Sequence, residues 1–303
     1  MESSARGIWA LKVSLLGLGL TATFQVVVFL ISGSVGLLAD TIHNGSDALT
    51  AIPLWIAFVL GRRKPSESYT YGYGRAEDMA GVVVVLMIAA SAVIAAYESV
   101  IKLINPTVPS NLIWVAIAAI VGFIGNEAVA VLRIRVGNEI GSAALVADGQ
   151  HARVDGLTSL AVLLGAAGVW LGFPLADPIV GLLITIAILF IVKDSAQVIW
   201  RRVMDAVDPA IVSNLKSVAS GIKGTESVSD VRARWLGHKL EAEMHVTVNE
   251  ELPTKESHRI AEEVRHALFH AQPKLVAVNI HVDPCGHSGE DAHESVAHHA
   301  TDR

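Results

Sequence analysis

Four residues in this chain have types and spacings that suit a metal ion. His43 and Asp47 stand four apart, as do His151 and Asp155. Positions i and i+4 share one face of a helix, so each pair projects together from a helix that carries it. Two imidazoles and two carboxylates make a four-donor set suited to tetrahedral Zn²⁺. The two carboxylates also neutralise the ion's charge, which matters where the dielectric is low. Without metal, protons can take their place on the imidazoles or the carboxylates, so metal binding releases protons. That is a chemical basis for exchanging metal against H⁺. The set contains no Cys, which keeps affinity low enough for release.

The two pairs belong to a short internal repeat. Ala39 to Thr50 and Ala147 to Thr158 share the pattern A-D-x-x-H-x-x-x-D-x-L-T. His43 and His151 are the only histidines before residue 205. A lone intramembrane His is often a packing residue with an Asp as its partner, but two copies of the motif argue for a site. Asp40 and Asp148 precede each His by three residues. They are expected to orient the imidazoles or to lie on a water path, with direct ligation the lesser alternative. Asn126 and Glu127 either line a wet cavity or form a structural polar pair.

The elements that must carry these residues are membrane helices. Charged residues make up 17% of the chain and hydrophobic residues 52%, against about 25% charged in soluble domains. Crossing the hydrocarbon core takes roughly 20 apolar residues as a helix. The apolar runs predict six such helices, at 10–32, 35–60, 77–103, 111–134, 141–170 and 177–200. Their links hold Ser32-Gly33-Ser34, Asn105-Pro106, Gly137-Asn138 and Gly172-Phe173-Pro174. At ~1.5 Å per residue each His-x-x-x-Asp motif lies about 15 Å into its helix, and antiparallel helices bring both motifs to the midplane. Arg62, Arg63, Lys64, Arg75, Arg133, Arg135, Arg201 and Arg202 fall on one side of this map, which predicts both termini to be cytoplasmic. The first apolar run is too long for a signal peptide.

Beyond residue 204 the character changes. The chain carries 13 Lys and Arg against 13 Asp and Glu up to that point, and 10 against 16 after it. This acidic part offers nothing to nucleic acid. A helix over 209–222, a strand over 226–235, a strictly alternating strand over 240–248, a helix capped by Thr254 and running to Ala271, and a strand over 275–283 give the order αββαβ. The single cysteine, Cys285, excludes an internal disulfide and fits a reducing cytosol. The domains expected are 1–204 in the membrane, 205–285 in the cytoplasm, and a polar His-containing tail over 286–303 without stable structure.

These residues resemble the cation diffusion facilitator family over roughly 10–285. The likeness rests on the paired His-x-x-x-Asp motifs, on Tyr-Gly-x-Gly-Arg-x-Glu at 71–77 and on Ala176-Asp177-Pro178. It implies six membrane helices, a ferredoxin-like cytoplasmic domain, a homodimer, and export of a divalent metal from the cytosol against protons. His at position 43 resembles the zinc-selective branch. Tyr69 and Tyr73 stand where some relatives have histidines, so no metal is expected there. The resemblance carries a cytoplasmic metal site over to His245, His258, His281 and Asp283, with Ser229 where a further His would stand, and a dimer-related ion pair to Arg75 and Asp205. Independently, His281 and Asp283 share one strand face, and His245 lies on the exposed face of its strand. Cys285 and His287 follow closely and could add a ligand.

The reading is a transporter that moves Zn²⁺ against H⁺ by alternating access in a bacterial plasma membrane, with Zn²⁺ also a regulatory ligand. An intramembrane metallohydrolase would need an open metal position and a general base, and no His-Glu-x-x-His motif is present. A membrane metal sensor without transport would keep the cytoplasmic site and tolerate loss of Asp47 or Asp155.

Overall fold

A computed structural model describes residues 2–32, 51–105, 112–173 and 175–285. Its chain divides into two compact units, Met1–Val203 and Met204–Arg303.

The first unit is a helical bundle. Its helices are α1 (Glu2–Ser32), α2 (described over Ala51–Leu60), α3 (Arg75–Ile104), α4 (Leu112–Ile140), α5 (Ala143–Trp170) and α6 (Ala176–Val203). Among the described residues, five of these are long and apolar enough to cross a membrane, and α2 is shorter. Many of their large apolar side chains point outward, among them Leu86 at 64% and Phe190 at 62% exposure. Such a surface requires lipid as its solvent. The helix most enclosed by the bundle is α5. Ala143, Ala147 and Val154 pack with Val84 and Ile88 of α3 and Ile188 of α6, while Ala152 packs with Leu18 of α1 and Val129 of α4.

The link expected at Gly137-Asn138 is helical instead, and the chain turns at Gly141 and Ser142. Gly141 has a φ of 82°, which suits glycine. The Ser142 hydroxyl accepts from the Leu145 N–H at 3.1 Å and so caps α5. Glycine is needed within the helices because α4 and α5 run backbone against backbone. A Cβ on Gly149 would stand 2.9 Å from the Ile134 nitrogen, the close approach that small residues permit between membrane helices. Arg202, at the end of α6, donates to the Gly141 carbonyl at 3.1 Å, and Arg75 donates to the Arg202 carbonyl at 3.1 Å. One end of the bundle is thus tied together by arginines.

Arg133 is enclosed by the bundle: its side chain is 1% exposed and pairs with Asp148 of α5, with Arg133 Nη1 3.0 Å from Asp148 Oδ2. The sequence shows its charge but not its partner, which lies fifteen residues on in the neighbouring helix.

The second unit has the ferredoxin-like αββαβ order: α7 (Pro209–Ser220), β1 (Ser227–Leu236), β2 (Lys239–Val248), α8 (Thr254–Ala271) and β3 (Leu275–Pro284). The sheet order is β1-β2-β3, with β1 antiparallel and β3 parallel to β2. The alternation of β2 is realised as expected. Leu240, Ala242, Met244, Val246 and Val248 are buried, and they pack with Leu215 of α7 and Ile260, Val264 and Leu268 of α8. Both helices therefore cover one face, and His245 belongs to the other. Asp208 caps α7 by accepting from the Ala210 N–H at 2.9 Å. Thr254 does not cap α8. The capping position is Pro253, with no side-chain hydrogen bond, and Thr254 is already helical.

Candidate metal centres

Residues 143 onward form α5, so His151 lies about 12 Å and Asp155 about 18 Å along the helix. Both are buried, at 2% and 3% exposure. Their Nδ1 and Oδ1 atoms are 3.9 Å apart. That is beyond hydrogen-bonding distance and leaves both groups on one helix face, able to converge on a common ion. Thr158 and Ser159 donate their hydroxyls to the Asp155 carbonyl at 2.8 and 3.2 Å, which occupies that main-chain acceptor. His43, Asp47 and Asp40 lie outside the described residues.

Asp148 is fully buried one turn before His151, and Arg133 holds one of its oxygens. Among the described residues, Nε and Nη2 of Arg133 have no hydrogen-bond partner. Glu127 pairs with Arg153 through two hydrogen bonds, Nε to Oε2 at 3.2 Å and Nη2 to Oε1 at 2.7 Å. Arg153 stands two residues from both His151 and Asp155, so it leaves α5 on the opposite side. Asn126 beside Glu127 is buried at 1% exposure. Glu127 thus serves an arginine, while the Cβ of Asn126 lies beside Gly156 of α5.

Thr158 also lines a cavity of about 100 Å³ between α3, α5 and α6, with Glu98, Ser99, Lys102 and Asp177 among its walls. Lys102 Nζ and Asp177 Oδ2 are 2.9 Å apart there. Asp177 belongs to the Ala-Asp-Pro motif, and its partner could not be read from the motif itself.

The second cluster is built by strand pairing. His245 and His281 are cross-strand partners in the parallel β2–β3 ladder, with ring centroids 4.7 Å apart. Asp283 bridges them. Its Oδ2 is 3.1 Å from His245 Nδ1, and its Oδ1 is 3.1 Å from His281 Nε2. One donor atom from each of the three lies within 4.8 Å of the others, which fits a small divalent ion. Asp230 adds a second carboxylate nearby, with Oδ2 3.8 Å from His245 Nε2. The ladder shifts register between Ser229 and Arg232, and Asp230 adopts a φ of 47° at that bulge. Ser229 itself pairs with His245 in register. Sequence reading passed over Asp230 because a bulge is not visible in an alternation pattern.

The remaining predicted residues are placed as follows. His258 is exposed on α8, on the helical side of the sheet, and the three-residue cluster does not include it. Cys285 is exposed, and its N–H donates to the Val248 carbonyl at 2.8 Å. His287 and the rest of the tail lie outside the described residues. Arg75 lies 3.7 Å from Asp78 within the bundle, while Asp205 belongs to the second unit with a φ of 57°. Tyr69 and Tyr73 stack with centroids 4.8 Å apart.

The cation efflux transmembrane domain matches residues 11–201, and the cytoplasmic domain of cation efflux proteins matches 207–285. The chain belongs to the cation efflux family, which makes it a multi-pass membrane transporter of metal cations with a cytoplasmic C-terminal domain. It is 55% identical over 287 residues to a probable cation efflux system protein of Mycobacterium tuberculosis (strain H37Rv), across 95% of this chain and 86% of that protein. It is 28% identical over 262 residues to the magnetosome protein MamB of Magnetospirillum gryphiswaldense, across 86% of this chain and 88% of that one. It is 23% identical over 272 residues to the manganese efflux system protein MneP of Bacillus subtilis, across 86% of this chain and 90% of that one.

Proposed function

We propose that this transporter exports Zn²⁺ in exchange for protons by alternating access, loading the ion at His43, Asp47, His151 and Asp155. The observation that carries the reading is the buried pair of His151 and Asp155 on one face of α5, in a region that matches the family's transmembrane domain. An imidazole and a carboxylate buried among apolar helices are costly unless a cation or protons compensate them. Imidazole donors favour Zn²⁺ over Mn²⁺, which prefers oxygen ligands. The similarity to a manganese efflux protein makes Mn²⁺ the competing cargo to test. The cavity beside Thr158, with its Glu98, Lys102 and Asp177, supports a polar route onward from Asp155.

The protein works as a homodimer in a bacterial plasma membrane with both termini in the cytosol, where the arginine-rich end of the bundle faces. His245, His281 and Asp283 bind cytosolic Zn²⁺ as a regulatory ligand, and filling that site tightens the dimer. Arg75 and Asp205 are assigned to an ion pair that supports it.

The decisive experiment is metal flux into proteoliposomes under an imposed pH gradient. Gradient-driven Zn²⁺ flux that Asp155→Ala abolishes is the expected result. Flux of Mn²⁺ but not Zn²⁺ would move the cargo assignment, and no flux of any divalent ion by folded protein would end the exchange mechanism.

A further inference from the structure

The last two turns of α8 hold a pair of histidines that neither the transport site nor the strand cluster uses. His266 and His270 are exposed and stand four residues apart. Their rings meet edge to face with centroids 4.5 Å apart, and their Nε2 atoms are 3.1 Å from each other. Either a proton shared as a hydrogen bond or a metal ion can hold two imidazole nitrogens this close. Metal–nitrogen bonds of about 2.0–2.1 Å that span a 3.1 Å gap subtend an angle near 100°. That is close to both tetrahedral and octahedral cis geometry.

We propose that His266 and His270 form a separate chelating site for an imidazole-preferring divalent cation, of the class of Ni²⁺, Cu²⁺ and Zn²⁺, on the surface of α8. The helix supplies the preorganisation, since i and i+4 side chains already share a face. His270 lies in the last turn, where the helix dipole favours a cation. Glu262, one turn earlier at the same spacing, is exposed and contacts Arg265 at 3.4 Å. It can supply a third donor, with water completing the shell. The site is distinct from the strand cluster: α8 packs through Ile260, Val264 and Leu268 against the core face of the sheet, whereas His245, His281 and Asp283 lie on the other face. Two imidazoles without thiolate rank cations in the Irving–Williams order, with Mn²⁺ bound least. An open, exposed chelate of this kind captures ions reversibly.

The test follows each histidine individually in the full-length protein, with Ni²⁺ as the probe. Diethylpyrocarbonate modifies free imidazole nitrogen, and mass spectrometry locates the adducts. Ni²⁺ at ninefold excess over its dissociation constant should slow modification of His266 and His270 together by about tenfold, by mass action. In His270→Gln, Ni²⁺ should no longer protect His266, while protection at His245 and His281 should persist. The proposal is overturned if His266 reacts equally fast with and without Ni²⁺, or if its protection survives in His270→Gln. Because both side chains are exposed, neither outcome depends on a buried substitution.

Discussion

The pair on α5 and the cluster on β2 and β3 use the same residue types but are assembled by opposite means. Two adjacent strands carry His245, His281 and Asp283, and the hydrogen-bonded register of the ladder sets them within bonding distance of one ion. No other element has to move. On α5, His151 and Asp155 offer one imidazole and one carboxylate from a single helix face, with Nδ1 and Oδ1 3.9 Å apart. In the proposed transport site the remaining donors are His43 and Asp47, distant in sequence, so relative movement within the bundle would make and unmake it. The first arrangement suits a ligand that is sensed, and the second suits a ligand that must be released on the other side. Burial reinforces the contrast. The α5 pair is almost wholly buried, whereas the His281 side chain is 54% exposed, so an ion bound there would remain in exchange with solvent.

Four tests break or sharpen this comparison. The largest effect is expected from Asp155→Ala. Its Zn²⁺ flux should fall by more than the ~10–100-fold that loss of a supporting residue costs a metal site. Zn²⁺ binding to the cytoplasmic unit, followed by calorimetry, should remain. Next comes Arg133→Met, which strips the buried Asp148 carboxyl of its ion-pair partner. Removing one partner of such a pair costs about 3–5 kcal/mol, measurable as a lower melting temperature in detergent, and Arg133→Met with Asp148→Leu should recover most of it. Third, Asp283→Asn should weaken Zn²⁺ binding at the strand cluster by more than the ~10–100-fold that loss of a supporting residue costs, yet preserve flux at saturating Zn²⁺. A collapse of flux equal to that of Asp155→Ala would erase the division of roles.

The smallest effect concerns acid stability. Hydrogen bonding to Arg259 holds the Glu256 carboxyl below its ordinary value of 4.5. A depressed folded-state value adds stability above the unfolded value, and the gain is lost as pH falls through the depressed one. The wild type should melt slightly above Glu256→Gln at neutral pH, with the margin closing in acid below 4.5.

By itself the sequence determined the membrane helices, the αββαβ order and the paired His-x-x-x-Asp motifs. These depend on local composition and on periods of 3.6 and 2, which are written residue by residue. It also placed His245, His281 and Asp283 on strand faces, since alternation decides the face. Only the tertiary structure decided which charges meet. Arg133 stood in the sequence as one of several basic residues on one side of the helix map, and the packing of α4 and α5 on their glycines brought Asp148 to it. Glu127 found Arg153 by the same closure. Asp230 reached His245 through a bulge that no pattern encodes. Such pairings depend on the distance between elements and on their relative rotation, which packing fixes, whereas the period along a chain fixes only direction from its own axis.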